Sequence, residues 1–187
     1  MERISNYLND VTTILDQLPV ASINGINKAL WETYHRDRTI IVCGNGGSAA
    51  TASHFALDLS KWTIKEGHRR LRAHALTDST PMITAWANDN GYDRVFVEQL
   101  KTCFRPGDTL VVISGSGNSP NVLRAVEWAD HQGAVTVGMT GFDGGELATL
   151  VDIGLVVPCH MMTQVEDVHM IVCSALAVNL AEMISGG

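Results

Sequence analysis

The sequence predicts an α/β domain in which a parallel sheet of about five strands carries helices on both faces. Three observations lead there. Short apolar or β-branched runs recur at 39–43, 73–76, 109–113, 134–139 and 153–157. Between them lie segments with apolar residues three and four apart, so strand and helix periods alternate along the chain. Two of the strands stop at glycine-rich loops that turn straight into helices, and parallel sheets present their ligand loops at such carboxyl ends.

Residues 2–18 space Ile4, Leu8, Val11, Leu15 and Leu18 on one face of an amphipathic helix, ended by Pro19. A second helix runs through Ile23, Ile26, Leu30 and Trp31 to His35-Arg36-Asp37. Both precede the first strand, so residues 1–37 read as a helical extension used in packing or in contact with a second copy. Strand 39–43 meets Gly44-Asn45-Gly46-Gly47 and then helix 48–61. A polar excursion, 65–70, leads to strand 73–76. Thr77 to Pro81 is a turn and helix start, and that helix leads to Asn88-Asp89-Asn90-Gly91. The next helix carries Val95, Phe96, Leu100 and Phe104 and closes at Pro106-Gly107-Asp108. Strand 109–113 gives way to Ser114-Gly115-Ser116-Gly117-Asn118-Ser119. Ser119 reads as a side-chain cap and Pro120 as the first residue of helix 120–132, which Gly133 ends. Strand 134–139, a short helix at 145–151 and strand 153–157 complete the alternation. The last helix, 164–184, is apolar on most faces and reads as buried, in the core or between subunits. Residues 1–187 form one domain.

Twenty acidic against 13 basic residues give a formal charge of −7. With no block of basic residues, direct binding of nucleic acid is excluded as a first reading. Four widely spaced cysteines without a CxxC pair read as reduced thiols. The N-terminus has no apolar signal core, and no run approaches the length of a membrane span. A soluble, cytoplasmic protein is expected.

The first loop combines free backbone N–H groups with the positive end of a helix dipole, an arrangement that suits an anion such as phosphate. It also matches the G-x-G-x-x-A dinucleotide fingerprint. That fingerprint needs an acid about 20 residues on, at the end of the next strand. Residues 61–66 lie before that strand and Asp78 comes much later, which disfavours a nicotinamide cofactor. The second loop offers three hydroxyls and two glycines, donors without bulk, and no Lys or Arg. A plain turn capped by Ser119 would not need three serines, so phosphate binding is favoured.

His54 and Asp58, four residues apart, share a helix face and in isolation read as a surface pair. Glu166 and His169 share a face at the start of the last helix, a spacing found in metal sites. Acids there also complement the helix dipole. Asn88-Asp89 fits either a turn or a ligand contact.

In combination, CGNGGSA with HFALDL, TAWANDNGY, ISGSGNSPNV, TGFDGG and QVEDVHM resemble the sugar isomerase (SIS) domain, and within it the phosphoheptose isomerase group. The resemblance spans about residues 2–185. It implies a flavodoxin-like three-layer sandwich, assembled as a homotetramer with sites shared between subunits. It implies a phosphosugar substrate and aldose–ketose isomerisation of the sedoheptulose 7-phosphate type. Ser114, Gly115, Ser116 and Ser119 then match the phosphate loop. Asn45, Gly46, Gly47 and Ser48 match the sugar loop, and Asn88 and Asp89 a sugar-contacting segment. His54 matches a histidine that binds zinc in several members. Asp58 stands where the group has glutamate, Glu166 where it has glutamine and Ser174 where it has histidine. Asp58, Glu166 and His54 are the catalytic candidates; no cofactor is required, and the same three residues are a candidate zinc site. The alternative left open is a non-catalytic phosphosugar-binding SIS protein that acts through protein partners, of the type that associates with a replication initiator.

Overall fold

Strands that are apolar on both sides need a helical layer on each face. The computed structural model, which describes residues 2–186, supplies both layers. In chain order the elements are α1 (Glu2–Asp16), α2 (Val20–His35), β1 (Thr39–Gly44), α3 (Gly47–Lys61), β2 (Arg72–Ala75), α4 (Thr80–Asn90), α5 (Val95–Cys103), β3 (Thr109–Ile113), α6 (Pro120–His131), β4 (Val135–Thr140), α7 (Leu147–Leu150), β5 (Ile153–Val156) and α8 (Met162–Ile184). All pairings are parallel and the strand order is β2-β1-β3-β4-β5. This is the flavodoxin-like order, with its switch between β1 and β3.

Alternation along the strands divides the core. Ile40, Val42, Val111, Ile113, Val137 and Met139 face α2, α3 and α8, where Leu30, Phe55, Val168 and Leu176 close the packing. Ile41, Cys43, Leu110 and Val112 face the other way, onto Phe96 and Leu100 of α5 and Val122 and Val126 of α6. Full burial of Cys43 pushes its thiol up to about 12, and all four cysteines are free. Helix α6 ends as the sequence indicates: Gly133 has φ +77°. Ala134 N–H reaches Ala129 C=O at 3.0 Å and Gly133 N–H reaches Asp130 C=O at 2.9 Å, a Schellman closure.

Helix α8 corrects one expectation. Its 23 residues, with a mean hydropathy of 1.5 over an 18-residue window, are long and apolar enough to cross a membrane. They are spent otherwise. Val165, Val168, Val172, Leu176 and Leu180 are buried in the core. Ile171 and Val178 remain exposed on the outer face, 43% and 45% accessible. Helix α1 docks on the start of α8, where Tyr7 donates to Asp167 at 2.5 Å and Gln164 to Asp10 at 3.5 Å.

His169 is fully buried, and its Nε2 lies 3.0 Å from the Thr140 carbonyl oxygen. A carbonyl only accepts, so Nε2 carries the proton and Nδ1 is left without a partner. Burial lowers its pKa from 6.5 to about 4. Between those pH values the unfolded chain takes up a proton that the folded one refuses. The stabilisation is therefore complete above the unfolded value and is lost as pH falls toward 4, by roughly 3 kcal/mol. His169→Gln, which keeps a donor for Thr140, is expected to flatten this acid limb. Denaturant unfolding at about pH 7 and about pH 5 checks it; equal pH slopes in the two proteins contradict it.

Candidate active site

Strands β1 and β3 lie side by side and end together, so the loops after them share one space. Gly44 makes this approach sterically permissible. A side chain there would lie 2.7 Å from the Ile113 carbonyl oxygen and 2.8 Å from that of Ser48. Between the loops opens a cleft of about 230 Å³, lined by Asn45, Gly46, Gly47, Ser48, Ser114, Gly115, Ser116, Ser119, Met162 and Glu166. The structure thus brings both predicted loops and one predicted acid together. Met162 is an addition; it rests against Gly115, where any side chain would strike its thioether. No sequence signal marks it, because it lies before the apolar pattern of α8 begins.

The second loop is held in shape by its own backbone and by Asn118. Gly117 N–H donates to Ser114 Oγ at 3.2 Å, and Asn118 N–H to Ser116 Oγ at 3.3 Å. Asn118 donates to the Ser116 carbonyl at 3.0 Å and accepts from Glu146 N–H at 2.9 Å. Both serine oxygens act as acceptors in these bonds, which leaves their hydroxyl protons for an anion. Ser119 occupies the N-cap position of α6, as expected, but its side chain makes no capping hydrogen bond. That corrects the reading of Ser119 as a side-chain cap. The hydroxyl lines the cleft instead. The cleft has no Lys or Arg on its wall, so an anion there meets neutral donors and the amino ends of α3 and α6.

The first loop is fixed by residues that sequence reasoning did not single out. Asn45 and Asn121 exchange side-chain amide bonds, both 2.9 Å, and Tyr92 Oη donates to Asn45 Oδ1 at 2.9 Å. Asn121 is buried, so its pairing with Asn45 satisfies groups that water does not reach. The pairing joins residues 76 apart in sequence, which no local pattern announces.

The remaining candidates fall in different places. Glu166 lays its carboxylate over Gly47, beside the positive end of α3. His169 turns into the core and does not line the cleft. Asn88 and Asp89 are exposed at the end of α4, where Asn88 donates to Asp89 at 2.8 Å, and neither lines the cleft. His54 Nε2 and Asp58 Oδ2 pair at 3.2 Å further along α3. By helix rise they sit about 10 and 16 Å beyond Gly47. Asp58 is close enough to Cys173 to add to the upward shift that burial imposes on that thiol. Among the described residues no group of three or more His, Cys, Asp or Glu side chains is placed to hold a metal. The candidate zinc set of His54, Asp58 and Glu166 therefore does not assemble within one chain: two donors stand together and the third lies with the glycine loop.

Because Ser119 does not cap α6, Ser119→Ala is expected to lower folding stability by less than the ~1 kcal/mol typical of a lost cap. The same substitution should weaken the thermal stabilisation given by phosphate-bearing ligands. Chemical denaturation with and without inorganic phosphate separates the two effects. A full capping loss with unchanged phosphate response contradicts the assignment.

Comparison with known proteins agrees with this geometry. Residues 6–141 match the SIS domain family. The chain is 44% identical over 145 residues to a phosphoheptose isomerase of Aliarcobacter butzleri, covering 78% of this chain and 76% of that protein. It is 38% identical over 186 residues to the lincomycin biosynthesis protein LmbN of Streptomyces lincolnensis, covering 94% of this chain and 67% of the relative. Among solved structures, a phosphoheptose isomerase from Neisseria gonorrhoeae superposes with a TM-score of 0.88 at 32% identity, over 96% of this chain and 97% of that one. Together with the loop chemistry, these matches establish that the chain belongs to the SIS domain family, within its phosphoheptose isomerase group.

Proposed function

We propose that this protein is a phosphosugar aldose–ketose isomerase of the sedoheptulose 7-phosphate type. The observation that carries the reading is the meeting of the serine loop, the sugar loop and the Glu166 carboxylate in one cleft. Relatives named phosphoheptose isomerase support the reaction class. The serine hydroxyls and the α6 amino end hold the phosphate, and Asn45, clamped by Asn121 and Tyr92, faces the sugar.

The chemistry needs one group to move a proton between C1 and C2, and a second to move protons between the two oxygens. Glu166, the carboxylate beside the sugar loop, takes the carbon proton from one carbon and returns it to the other through an enediol. His54, held by Asp58, serves the oxygens. The pair stands about two and three turns along α3 from Gly47, and we assign it to the cleft of a neighbouring subunit. A homotetramer with shared sites meets this need. The exposed Ile4, Leu8, Ile171 and Val178 supply apolar surface for the contacts. Proton transfer by these side chains requires no metal. Where zinc binds, His54 and Asp58 are its donors from this chain, short of the three or four protein ligands of a zinc site until a second copy adds more; there it would polarise a substrate oxygen. Four free cysteines fit a reduced, cytoplasmic setting.

With sedoheptulose 7-phosphate, wild-type protein is expected to show turnover and a ligand-dependent rise in melting temperature. Glu166→Gln should keep the thermal shift and lose about 100-fold or more in kcat. Gly47→Ala should keep the fold, displace the Glu166 carboxylate and lower kcat as well. A thermal shift without turnover in wild-type protein identifies a binding protein instead. Unaltered turnover in Glu166→Gln removes Glu166 from the mechanism.

A further inference from the structure

A larger cavity, about 650 Å³, opens at the opposite end of the sheet, where β1, β2 and β3 begin. Three arginines reach it from three separate segments: Arg38 before β1, Arg72 at the start of β2 and Arg105 before β3. Arg72 is already engaged, pairing with Asp37 at 3.3 Å, and Arg69 shares that carboxylate at 3.5 Å. Arg38 and Arg105 are different. Among the described residues neither guanidinium meets a carboxylate or another hydrogen-bond acceptor.

The local backbone aims them. Asp37 stands at φ +54°, an uncommon conformation for a residue with a side chain, and turns the chain so that Arg38 faces the cavity. Arg38 then lies along Gly107, whose φ of +91° favours glycine and whose missing side chain leaves the guanidinium room. Asp108 is the buried carboxylate at this end, and among the described residues it makes no ion pair with the arginines. Its two oxygens accept from Thr39 N–H and Arg105 N–H, both at 2.8 Å, so it anchors the backbone of two cavity walls. In a chain of net charge −7, this leaves a lining that is net positive, with three arginines against Asp37 and Asp108, and that carries two unused guanidinium forks.

We infer that this cavity is a second binding site, separate from the serine-loop cleft, for a small molecule bearing two or more phosphoryl groups. A guanidinium fork binds the paired oxygens of a phosphoryl group through two parallel hydrogen bonds. Forks on different walls call for a ligand that presents anionic oxygens in more than one direction, which a single carboxylate does not. The volume falls within the range of small-molecule sites. The inference does not rest on the isomerase reading.

Inorganic pyrophosphate is the probe, titrated calorimetrically into three full-length proteins. Saturable binding is expected in wild type and in Ser116→Ala/Ser119→Ala, which disables only the other cleft. Arg38→Gln/Arg105→Gln should weaken it by about tenfold or more while leaving the response to sugar phosphate intact. If circular dichroism shows that this double variant does not fold, Arg38→Lys/Arg105→Lys replaces it. The lysines keep the charge but lose the fork, and weaker binding is again expected. Absence of saturable binding up to the millimolar range overturns the inference. So does binding that disappears in the serine variant and persists in the arginine variant.

Discussion

The close approach of the Gly44 backbone to the Ile113 carbonyl, where β1 and β3 end side by side, is the contact on which the rest of the structure depends. Their parallel register runs to Gly44↔Ile113, so both strands release their loops at the same level. Since α3 and α6 start from these loops on opposite faces of the sheet, two helix amino ends point into one crevice. The ligand cleft follows from that geometry. An anion there would meet neutral donors and two helix dipoles, which supply positive potential without an ionised basic side chain.

Much of this was legible in the amino-acid pattern. The β-branched runs, the glycine stops and the Ser119-Pro120 helix start mark their elements to within a residue or two, because each is decided by local chemistry. The site was legible only where it too is local. The fate of the Ser119 hydroxyl was not, since capping and ligand binding use the same residue at the same position. Nor was the Asn45–Asn121 pair, which the sheet creates by bringing two distant loops together. Glu166 and His169 illustrate a further limit. Three residues apart on a helix leaves about 60° between side chains, enough to place one toward α3 and the other toward the sheet. Helical spacing groups them; the two-sided packing of α8 separates them, and burial leaves His169 neutral in the core.

Charge is distributed with the same economy. The cleft at the carboxyl ends has an acid and hydroxyls but no base, whereas the arginines stand at the amino ends of the same strands. Buried Asp108 accepts from two backbone amides and shapes the second cavity, where three arginines still outnumber the two carboxylates. Against α3 the two candidate acids lie at two levels, Glu166 over its first turn and Asp58 beyond its middle. One copy of the chain thus brings the serine loop, the first glycine loop and one acid together. The His54–Asp58 pair lies further along α3, 45% and 24% accessible at the side chains.

Subunit complementation measures this division directly. Glu166→Gln and Asp58→Asn chains are prepared separately, confirmed to be folded and inactive, then unfolded together and refolded as a mixture. If one copy's Glu166 cleft is completed by another copy's His54–Asp58 pair, mixed assemblies contain some sites with both native groups, and turnover of sedoheptulose 7-phosphate returns. A mixture no more active than either parent, with subunit exchange demonstrated, would contradict the shared site and place all three residues in a single chain's chemistry.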